Sequence, residues 1–456
     1  MRQRKAPWLG AAAALFTAAL VSASCGGGTD TAEEAETTTT ETAATPVTIT
    51  VATVNNGQMK DMEQLTAEYE AQNPGVDVVF QIMEEGDLRS SVTADIASGA
   101  GQYDVVTIGS YEVPQWAANG WLTDLTPYVG TPEYDVDDII KPVRDALSYE
   151  GQLYAVPFYG ESSILMYNKE IIEAAGLTVP NKPTWQEVAE IAKKVKSDKV
   201  NGICMRGKPG WGESFAVLTT MVQTFGGNWY DMDWKAGVNS PEFTQAITFY
   251  KDLLETAGPK DPLSYSFNEC LNGMKNGDFA MWYDATSLAG LLESDDSPVK
   301  GKMGYVYAPV VKTKNSGWLW AWSLAIPKTT KNVDAAADFI TWATSKEYHQ
   351  LVGETLDWNR VPPGSRTSTF ENPNYKEAAA AYAPITLEVM SSVNPNQPGV
   401  NPQPWVGIQY VSIPEFQDVG NQVAQLVADA VAGRITVKEA LDKGQEIAQK
   451  AGDAQK

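Results

Sequence analysis

Strands and helices alternate in the prediction for residues 47–108, and this alternation restricts the fold more than any other sequence feature. Residues 47–51 and 76–82 alternate apolar and polar side chains, and residues 103–108 form a short apolar run. Apolar residues at helical spacing separate these strands: Met59, Met62, Leu65 and Tyr69, then Leu88, Val92 and Ile96. The order β-α-β-α-β is typical of a mostly parallel sheet covered by helices.

Helix signals continue to the C-terminus. Thr184 and Glu187 form a capping box, as do Thr436 and Glu439, and Ser240 precedes a proline at the first helical position. An apolar strand is predicted at residues 279–283. The sequence therefore predicts an α/β protein throughout.

Residues 46–456 are too many for one hydrophobic core and suit two lobes of roughly 200 residues each. No stretch rich in proline and glycine separates the halves, so the chain is expected to cross between lobes on ordered strands, which suits a hinge. The predicted N-terminal lobe comprises residues 46–157 with 286–335. The predicted C-terminal lobe comprises residues 158–285 with 336–456.

The N-terminal residues predict export. Arg2, Arg4 and Lys5 form a basic segment, and an uncharged apolar run of about 14 residues follows at 8–21. That run is shorter than the ~20 residues that a membrane-spanning helix needs. Residues 1–24 are therefore predicted to be a signal peptide.

Residues 22–26 (Ser-Ala-Ser-Cys-Gly) resemble a lipoprotein signal, in which the cysteine becomes the acylated first residue. Ser22 departs from the aliphatic residue usual at its position. Lipidation of Cys25 is predicted, and ordinary signal cleavage that leaves Cys25 as a free thiol is the alternative. Residues 25–45, rich in Thr, Glu and Ala, are predicted to be a disordered acidic tether, so the protein would be anchored at the outer face of the cytoplasmic membrane.

Charge and residue counts exclude several functions. The net charge of −23 argues against nucleic-acid and anionic-membrane partners. The one histidine, His349, lies in a polar stretch that predicts an exposed helix, so no catalytic triad or multi-histidine zinc site is expected. A phosphate-loop-like segment carries Pro209 where Ser or Thr would hold magnesium, which argues against a nucleotide cofactor. Cys204 and Cys270 form either a disulfide or two buried free thiols.

Trp318, Trp320 and Trp322 alternate with other residues, which places their rings on one face of a strand. Core packing against a helix would explain such a stripe, and so would an apolar wall of a ligand cleft. A mixture of the two roles is expected.

Polar side chains stand beside aromatic residues close to the predicted strand ends, where open α/β folds bind ligands. Carboxylates accept hydrogen bonds from hydroxyl groups, arginine donates in a fixed fork, and aromatic rings exclude water. A polyhydroxylated ligand needs this mixture, although surface pairing or helix capping would explain any single residue. The candidate ligand-binding residues are Asn56, Tyr111, Glu112, Tyr159, Glu161, Arg206, Trp211, Glu213, Asp284, Trp320, Trp322 and Arg360.

Several strings in one order resemble a known family: residues 103–113, 157–163, 206–213, 280–286, 318–322 and 361–366. They are similar to the extracytoplasmic solute-binding proteins of carbohydrate ABC importers, which are maltose-binding-like in fold, and most similar to the mannitol/sorbitol-type polyol-binding branch. The resemblance implies a two-lobed periplasmic-binding-protein-like fold, a ligand cleft between the lobes, no catalysis and no cofactor. It also implies a membrane permease partner and a monomer.

Two alternatives stay open. The binding role could serve a monosaccharide or an oligosaccharide instead of a sugar alcohol. A secreted glycoside hydrolase would use a carboxylate pair drawn from Glu161, Glu213 and Asp284.

Overall fold

The computed structural model describes residues 46–456. The predicted signal peptide (1–24), the lipidation site Cys25 and the tether (25–45) lie outside the described residues. Across residues 46–456, none of the helices combines the length and the apolar character that crossing a membrane requires.

The strands, in chain order, are β1 Val47–Val54, β2 Val76–Met83, β3 Val105–Gly109, β4 Ser148–Tyr149, β5 Gln152–Leu153, β6 Ala155–Glu161, β7 Ser163–Asn168, β8 Asn201–Cys204, β9 Phe279–Ala285, β10 Met303–Tyr307 and β11 Trp320–Ala325. The α-helices are α1 Gly57–Gln72, α2 Glu85–Ser98, α3 Glu112–Ala118, α4 Thr126–Val129, α5 Lys141–Ala146, α6 Lys169–Ala174, α7 Trp185–Val195, α8 Ser214–Phe225, α9 Pro241–Ala257, α10 Phe267–Asn276, α11 Leu288–Glu293, α12 Val333–Ala343, α13 Lys346–Thr355, α14 Thr367–Glu371, α15 Pro373–Ala378, α16 Ala383–Ser392, α17 Phe416–Val431 and α18 Val437–Asp453. Short 3-10 helices occur at Val136–Asp138, Pro262–Ser264 and Trp358–Arg360.

Two larger sheets form the framework. The first has the order β2-β1-β3-β11-β6, and the second has the order β10-β7-β9-β8. The α/β class and the β-α-β-α-β order from β1 to β3 are confirmed. The pairing is more mixed than predicted, because β11 in the first sheet and β7 in the second run antiparallel to both of their neighbours.

The predicted helix stripes and caps hold. The apolar residues Met59, Met62, Leu65 and Tyr69 of α1 are buried against the core. Reciprocal capping boxes begin α7 and α18, and the Ser240 side chain caps α9. Each such cap stabilises its helix by typically ~1 kcal/mol.

The chain passes between the two sheets on ordered backbone. β6 ends at Glu161 in the first sheet, and β7 begins at Ser163 in the second, so Ser162 alone separates them. The Ser162 backbone N donates to Thr286 Oγ1 at 3.1 Å, and the Thr286 backbone N donates to Ser162 O at 2.8 Å. Thr286 follows β9, so the crossing at Ser162 is hydrogen-bonded to the end of a strand of the second sheet.

The lobe boundaries remain a prediction. Two observations, one on strand pairing and one on helix packing, bear on residues near these boundaries. Residues 286–335 supply strands to both sheets, because β10 pairs with β7 and β11 pairs with β3 and β6. The boundary after residue 335 falls inside α12, whose Phe339 packs edge-on against Tyr69 of α1. Helix α12 therefore lies with the first sheet.

The prediction that His349 lies on an exposed helix is wrong. His349 is buried on α13, and its Nδ1 lies 2.6 Å from Thr369 Oγ1. Burial lowers the pKa of His349 to about 3. The prediction failed because the neighbours of His349 in the sequence are polar, whereas its burial results from the packing of α14 against the side of α13 that carries His349.

A disulfide joins Cys204 at the end of β8 to Cys270 on α10, with the Cα atoms 5.7 Å apart. This bond settles the alternative that the sequence left open. Arg206 and Phe267, which follow and precede these cysteines closely in the chain, both line the cleft described below. The disulfide thus fastens two parts of one cleft wall.

Removal of this disulfide is expected to destabilise the protein. The bond closes a segment with a sequence separation of 66 residues, and a disulfide of this kind contributes roughly 2–4 kcal/mol. The double variant Cys204→Ala/Cys270→Ala should unfold at lower denaturant concentration than the wild type. A reducing agent should then shift the wild type and leave the double variant unchanged. Equal unfolding midpoints for the double variant and the wild type with its disulfide intact would contradict the expectation.

Candidate ligand-binding cleft

A cleft opens where the carboxyl end of β6, the residues after β9 and the start of β11 meet. It holds about 520 Å³ of space between its lining atoms, with the open solvent at its mouth included. Elements of both sheets supply its walls. The lining residues are Asn56, Gln58, Glu85, Arg89, Tyr159, Glu161, Arg206, Trp211, Gly212, Ala216, Phe267, Ala285, Ser287, Leu288, Trp318, Trp320, Trp322 and Gln409.

Indole rings form one wall of the cleft. Trp320 and Trp322 lie on β11, and Trp318 precedes this strand. All three rings line the cleft, which corresponds to the predicted role as an apolar wall. The ring centroids of Trp320 and Trp322 are 5.5 Å apart in an edge-to-face arrangement. Gly109 on the neighbouring strand β3 makes room, since a Cβ atom there would lie 2.0 Å from the Trp320 ring.

Arg89 of α2 lies against this wall. Its guanidinium carbon is 4.1 Å from the centroid of the Trp211 ring, 4.9 Å from that of Trp322 and 5.1 Å from that of Trp320. A cation this close to several ring faces is attracted by each, most strongly when water is excluded. The planar group is therefore held between aromatic rings at a fixed position.

Two carboxylates neutralise Arg89. Its Nε and Nη2 donate to Glu85 Oε1 at 3.1 and 2.9 Å, and its Nη1 donates to Glu112. The other oxygen of Glu112 accepts from the Gly109 backbone N at 3.0 Å. Burial raises the pKa of Glu112 above its ordinary value, although the Arg89 charge opposes this shift. Glu112 thus positions Arg89 from behind the cleft wall.

Arg206 is the second guanidinium in the cleft. It pairs with Asp284 through Nη2 at 2.6 Å and Nε at 3.0 Å, and its Nη1 donates to the Gly212 backbone O at 2.9 Å. Asp284 also accepts from Trp282 Nε1 at 3.1 Å and from the Ala285 backbone N at 2.7 Å. The neighbouring carboxylates hold the pKa of Arg206 above its ordinary value against the effect of burial.

Glu85 connects the two cations across the cleft. Its Oε2 is 4.0 Å from Arg206 Nη1, while its Oε1 binds Arg89. Gly212 permits this approach, because a Cβ atom there would lie 1.9 Å from Glu85 Oε1. Since both guanidinium groups have carboxylate partners, neither offers an uncompensated positive charge to an anionic ligand. Their remaining N–H groups and the carboxylate oxygens suit an uncharged ligand with hydroxyl groups.

The floor of the cleft carries a second polar set. Asn56 caps α1 through its Oδ1, and its Nδ2 donates to Tyr159 Oη at 2.9 Å. The Ser287 hydroxyl donates to Glu161 Oε2 at 2.6 Å. These bonds fix the four side chains at the ends of β1, β6 and β9.

The buried Glu161 carboxyl predicts a pH dependence. Burial raises its pKa from the ordinary 4.5 to about 7. An acid with a higher pKa in the folded state than in the unfolded chain makes folding less favourable as the pH rises between these two values. The stability difference between Glu161→Gln and the wild type should therefore grow in favour of the variant from about pH 5 to about pH 7, by up to ~1.4 kcal/mol per pH unit. Urea unfolding at a series of pH values measures it.

The control is Glu63→Gln, which changes an exposed position on α1. Its profile over the same pH range supplies the baseline for a change from glutamate to glutamine at an exposed position. A Glu161→Gln profile that matches this baseline would show that Glu161 ionises normally in the folded protein.

The structure brings most of the predicted site residues together. Those that line the cleft are Asn56, Tyr159, Glu161, Arg206, Trp211, Trp320 and Trp322. Glu112 and Asp284 stand behind the two guanidinium groups. Tyr111 backs the wall, with its ring centroid 4.9 Å from that of Trp211 and its hydroxyl donating to the Ile413 backbone O at 3.0 Å.

Two predicted residues lie elsewhere. Glu213 precedes α8 outside the cleft lining and accepts from the Ser266 hydroxyl at 2.5 Å, and burial raises its pKa to about 7. Arg360 lies in a 3-10 helix away from the cleft, where its Nε donates to Asp61 at 3.0 Å. An aromatic residue close to Arg360 in the sequence suggested a place in the cleft, but it belongs to local packing.

Sequence reasoning missed several lining residues, among them Gln58, Glu85, Arg89, Ser287 and Gln409. One signal was available: Glu85 and Arg89 stand four residues apart directly after β2, where a strand ends at the sheet edge that binds ligands. No cluster of three or more His, Cys, Asp or Glu side chains within residues 46–456 could hold a metal ion.

Comparisons with known proteins agree with this architecture. Residues 54–350 match the family model described as bacterial extracellular solute-binding protein. A mannitol-binding protein from Pseudomonas aeruginosa is 42% identical over 405 residues, which cover 88% of this chain and 92% of the relative.

Solved structures extend the match. A solute-binding protein of an ABC transporter from Agrobacterium vitis S4, solved with bound D-mannitol, has a TM-score of 0.88 and 44% identity, with 90% of this chain and 99% of that chain covered. Another from Agrobacterium radiobacter K84, in complex with ribitol, has a TM-score of 0.78 and 28% identity, with 89% and 98% covered. The protein is a two-lobed, exported, ligand-binding component of an ABC transporter rather than an enzyme. The chain belongs to the bacterial extracellular solute-binding protein family.

Proposed function

We propose that the protein captures a small sugar alcohol of the mannitol, sorbitol or arabitol type in this cleft. Support comes from the relative named for mannitol binding and from the two similar structures that hold D-mannitol and ribitol. The dissociation constant is expected near the micromolar range, which corresponds to roughly −8 kcal/mol.

The observation that carries the proposal is the charge pattern of the cleft. Arg89 and Arg206 are each neutralised by carboxylates, and indole rings cover one wall. A sugar alcohol carries no charge, offers a donor and an acceptor on every carbon, and presents C–H groups to the rings. An anionic sugar acid would meet the Glu85 carboxylate without a free cation to balance it.

Ligand capture is proposed to couple to transport. Side chains from both sheets face the cleft, so a ligand that bonds to both favours the closed arrangement of the lobes by its differential affinity. The lobes are proposed as residues 46–157 with 286–335 and residues 158–285 with 336–456. The closed, monomeric protein would then present its ligand to the membrane permease. Acylation at Cys25 would hold it at the outer face of the cytoplasmic membrane.

A thermal-shift screen of the purified protein tests this function. D-Mannitol, D-sorbitol, D-arabitol and xylitol are compared with D-gluconate, D-glucose and maltose. Binding at a hundred times the dissociation constant adds ~2.7 kcal/mol to the stability of the folded state. One or more alditols should raise the melting temperature, while gluconate and maltose should not. A shift with maltose or gluconate alone would overturn the sugar-alcohol assignment.

A further inference from the structure

Gln409 reaches the cleft from a segment that the two sheets do not contain. Residues 393–415 connect α16 to α17 without a helix or strand. Gln409 is 3% exposed and lines the cleft. Its side-chain oxygen Oε1 is fully buried and has no hydrogen-bond partner among the described residues.

Other polar side chains of the cleft have hydrogen-bond partners, unlike the Gln409 oxygen. Glu85, Glu161 and Tyr159 each accept a hydrogen bond from a neighbouring side chain. The indole N–H groups of Trp211 and Trp318 are buried without a partner, but an indole can only donate. Within the described part of the chain, Gln409 Oε1 is therefore the one fully buried acceptor of the cleft lining that lacks a donor.

The residues on both sides of Gln409 are held by hydrogen bonds. The Gln223 side chain on α8 donates to the Ile408 backbone O at 2.6 Å. The Tyr410 hydroxyl donates to the Ser110 backbone O at 3.3 Å, just after β3. Because α8 packs with the second sheet's helices and Ser110 follows a strand of the first sheet, residues 408–410 are tied to both sides of the cleft.

A buried acceptor without a donor lowers stability, so such a group in a native structure needs an explanation. We propose that Gln409 is a specificity-determining residue whose side-chain carboxamide forms a hydrogen bond with one hydroxyl group of the bound sugar alcohol. This inference rests on the proposed function. It adds a contact that selects among alditols by the position of a hydroxyl group, because a site built around a hydroxyl discriminates strongly against a ligand that lacks it.

A cycle of ligand and protein changes tests the contact. The affinities of the wild type and of Gln409→Ala are measured by titration calorimetry for D-mannitol and for its 1,6-, 2,5- and 3,4-dideoxy forms. Each dideoxy form lacks both members of one pair of symmetry-equivalent hydroxyl groups, so a ligand bound in the reverse direction cannot restore the contact. Gln409→Ala should bind D-mannitol about tenfold more weakly than the wild type. For the one deoxy form that lacks the partner hydroxyl, the wild type and the variant should bind equally. For the other deoxy forms the tenfold difference should remain.

Gln397→Ala, an exposed position in the same segment, is the matched control and should bind as the wild type does. The melting temperature of Gln409→Ala checks folding, and Gln409→Asn, which is one methylene shorter, repeats the cycle with a smaller change. An affinity for D-mannitol within twofold of the wild type in both variants would overturn the contact. An equal loss for all the deoxy forms would also overturn it, because that result indicates a general distortion of the cleft. Failure of the wild type to bind any alditol would overturn the proposed function itself, and with it this inference.

Discussion

Arg206→Ala is expected to weaken the binding of D-mannitol more than about 100-fold and to lower the free energy of unfolding by roughly 3–5 kcal/mol. Asp284 is fully buried, and Arg206 supplies two of its hydrogen bonds. Removal of one partner of a buried ion pair leaves an uncompensated charge, which costs about this much. The same change removes a guanidinium from the cleft wall, so affinity should fall more than about 100-fold. Urea unfolding and titration calorimetry measure the two effects.

The control for this variant is Arg434→Ala, which breaks an exposed ion pair with Asp429 and should change stability by less than ~1 kcal/mol. The double variant Arg206→Ala/Asp284→Ala should be more stable than Arg206→Ala alone, because it removes the unpaired carboxylate. A single variant as stable as the wild type would contradict the buried pair. Unchanged affinity would remove Arg206 from the site.

Arg89→Lys is expected to weaken binding by roughly 10- to 100-fold although it keeps the positive charge. An ammonium group cannot bond Glu85 and Glu112 through a planar fork and stack on three indole rings at once. The Glu85 carboxylate, which lines the cleft, would then face the ligand in an altered geometry. Titration calorimetry with D-mannitol measures the loss, and tryptophan fluorescence reports the changed surroundings of the rings.

Arg144→Lys provides the matched comparison. Arg144 pairs with the exposed Asp137 outside the cleft, so its exchange for lysine should leave the affinity unchanged and alter stability by less than ~1 kcal/mol. If Arg89→Lys bound D-mannitol as tightly as the wild type, charge alone would matter at this position. The stacked geometry would then have no role in recognition.

The sequence predicted the fold class and much of the cleft because periodicity and chain order determine both. The alternation of Trp318, Trp320 and Trp322 was sufficient to place three rings on one surface. Polar residues next to strand ends, such as Glu161 and Arg206, reached the cleft because strand ends meet there. These features depend on local geometry that a pattern reports directly.

The remainder depends on tertiary contacts that no local pattern contains. Glu85 and Arg89 look like an ordinary surface pair on a helix until the helix packs against the indole wall. Gln409 enters the cleft from a segment without regular structure, so its position follows from distant hydrogen bonds. His349 is buried because α14 covers it, although its neighbours in sequence are polar.

The most direct test of the central claim is a crystal structure of the protein grown with D-mannitol at saturating concentration. We expect one D-mannitol molecule in the cleft, against the Trp320 ring and within hydrogen-bonding distance of Arg89 and Arg206. We also expect both guanidinium groups to keep their carboxylate partners. A cleft without D-mannitol under these conditions, or a molecule bound at another place on the protein, would contradict the account.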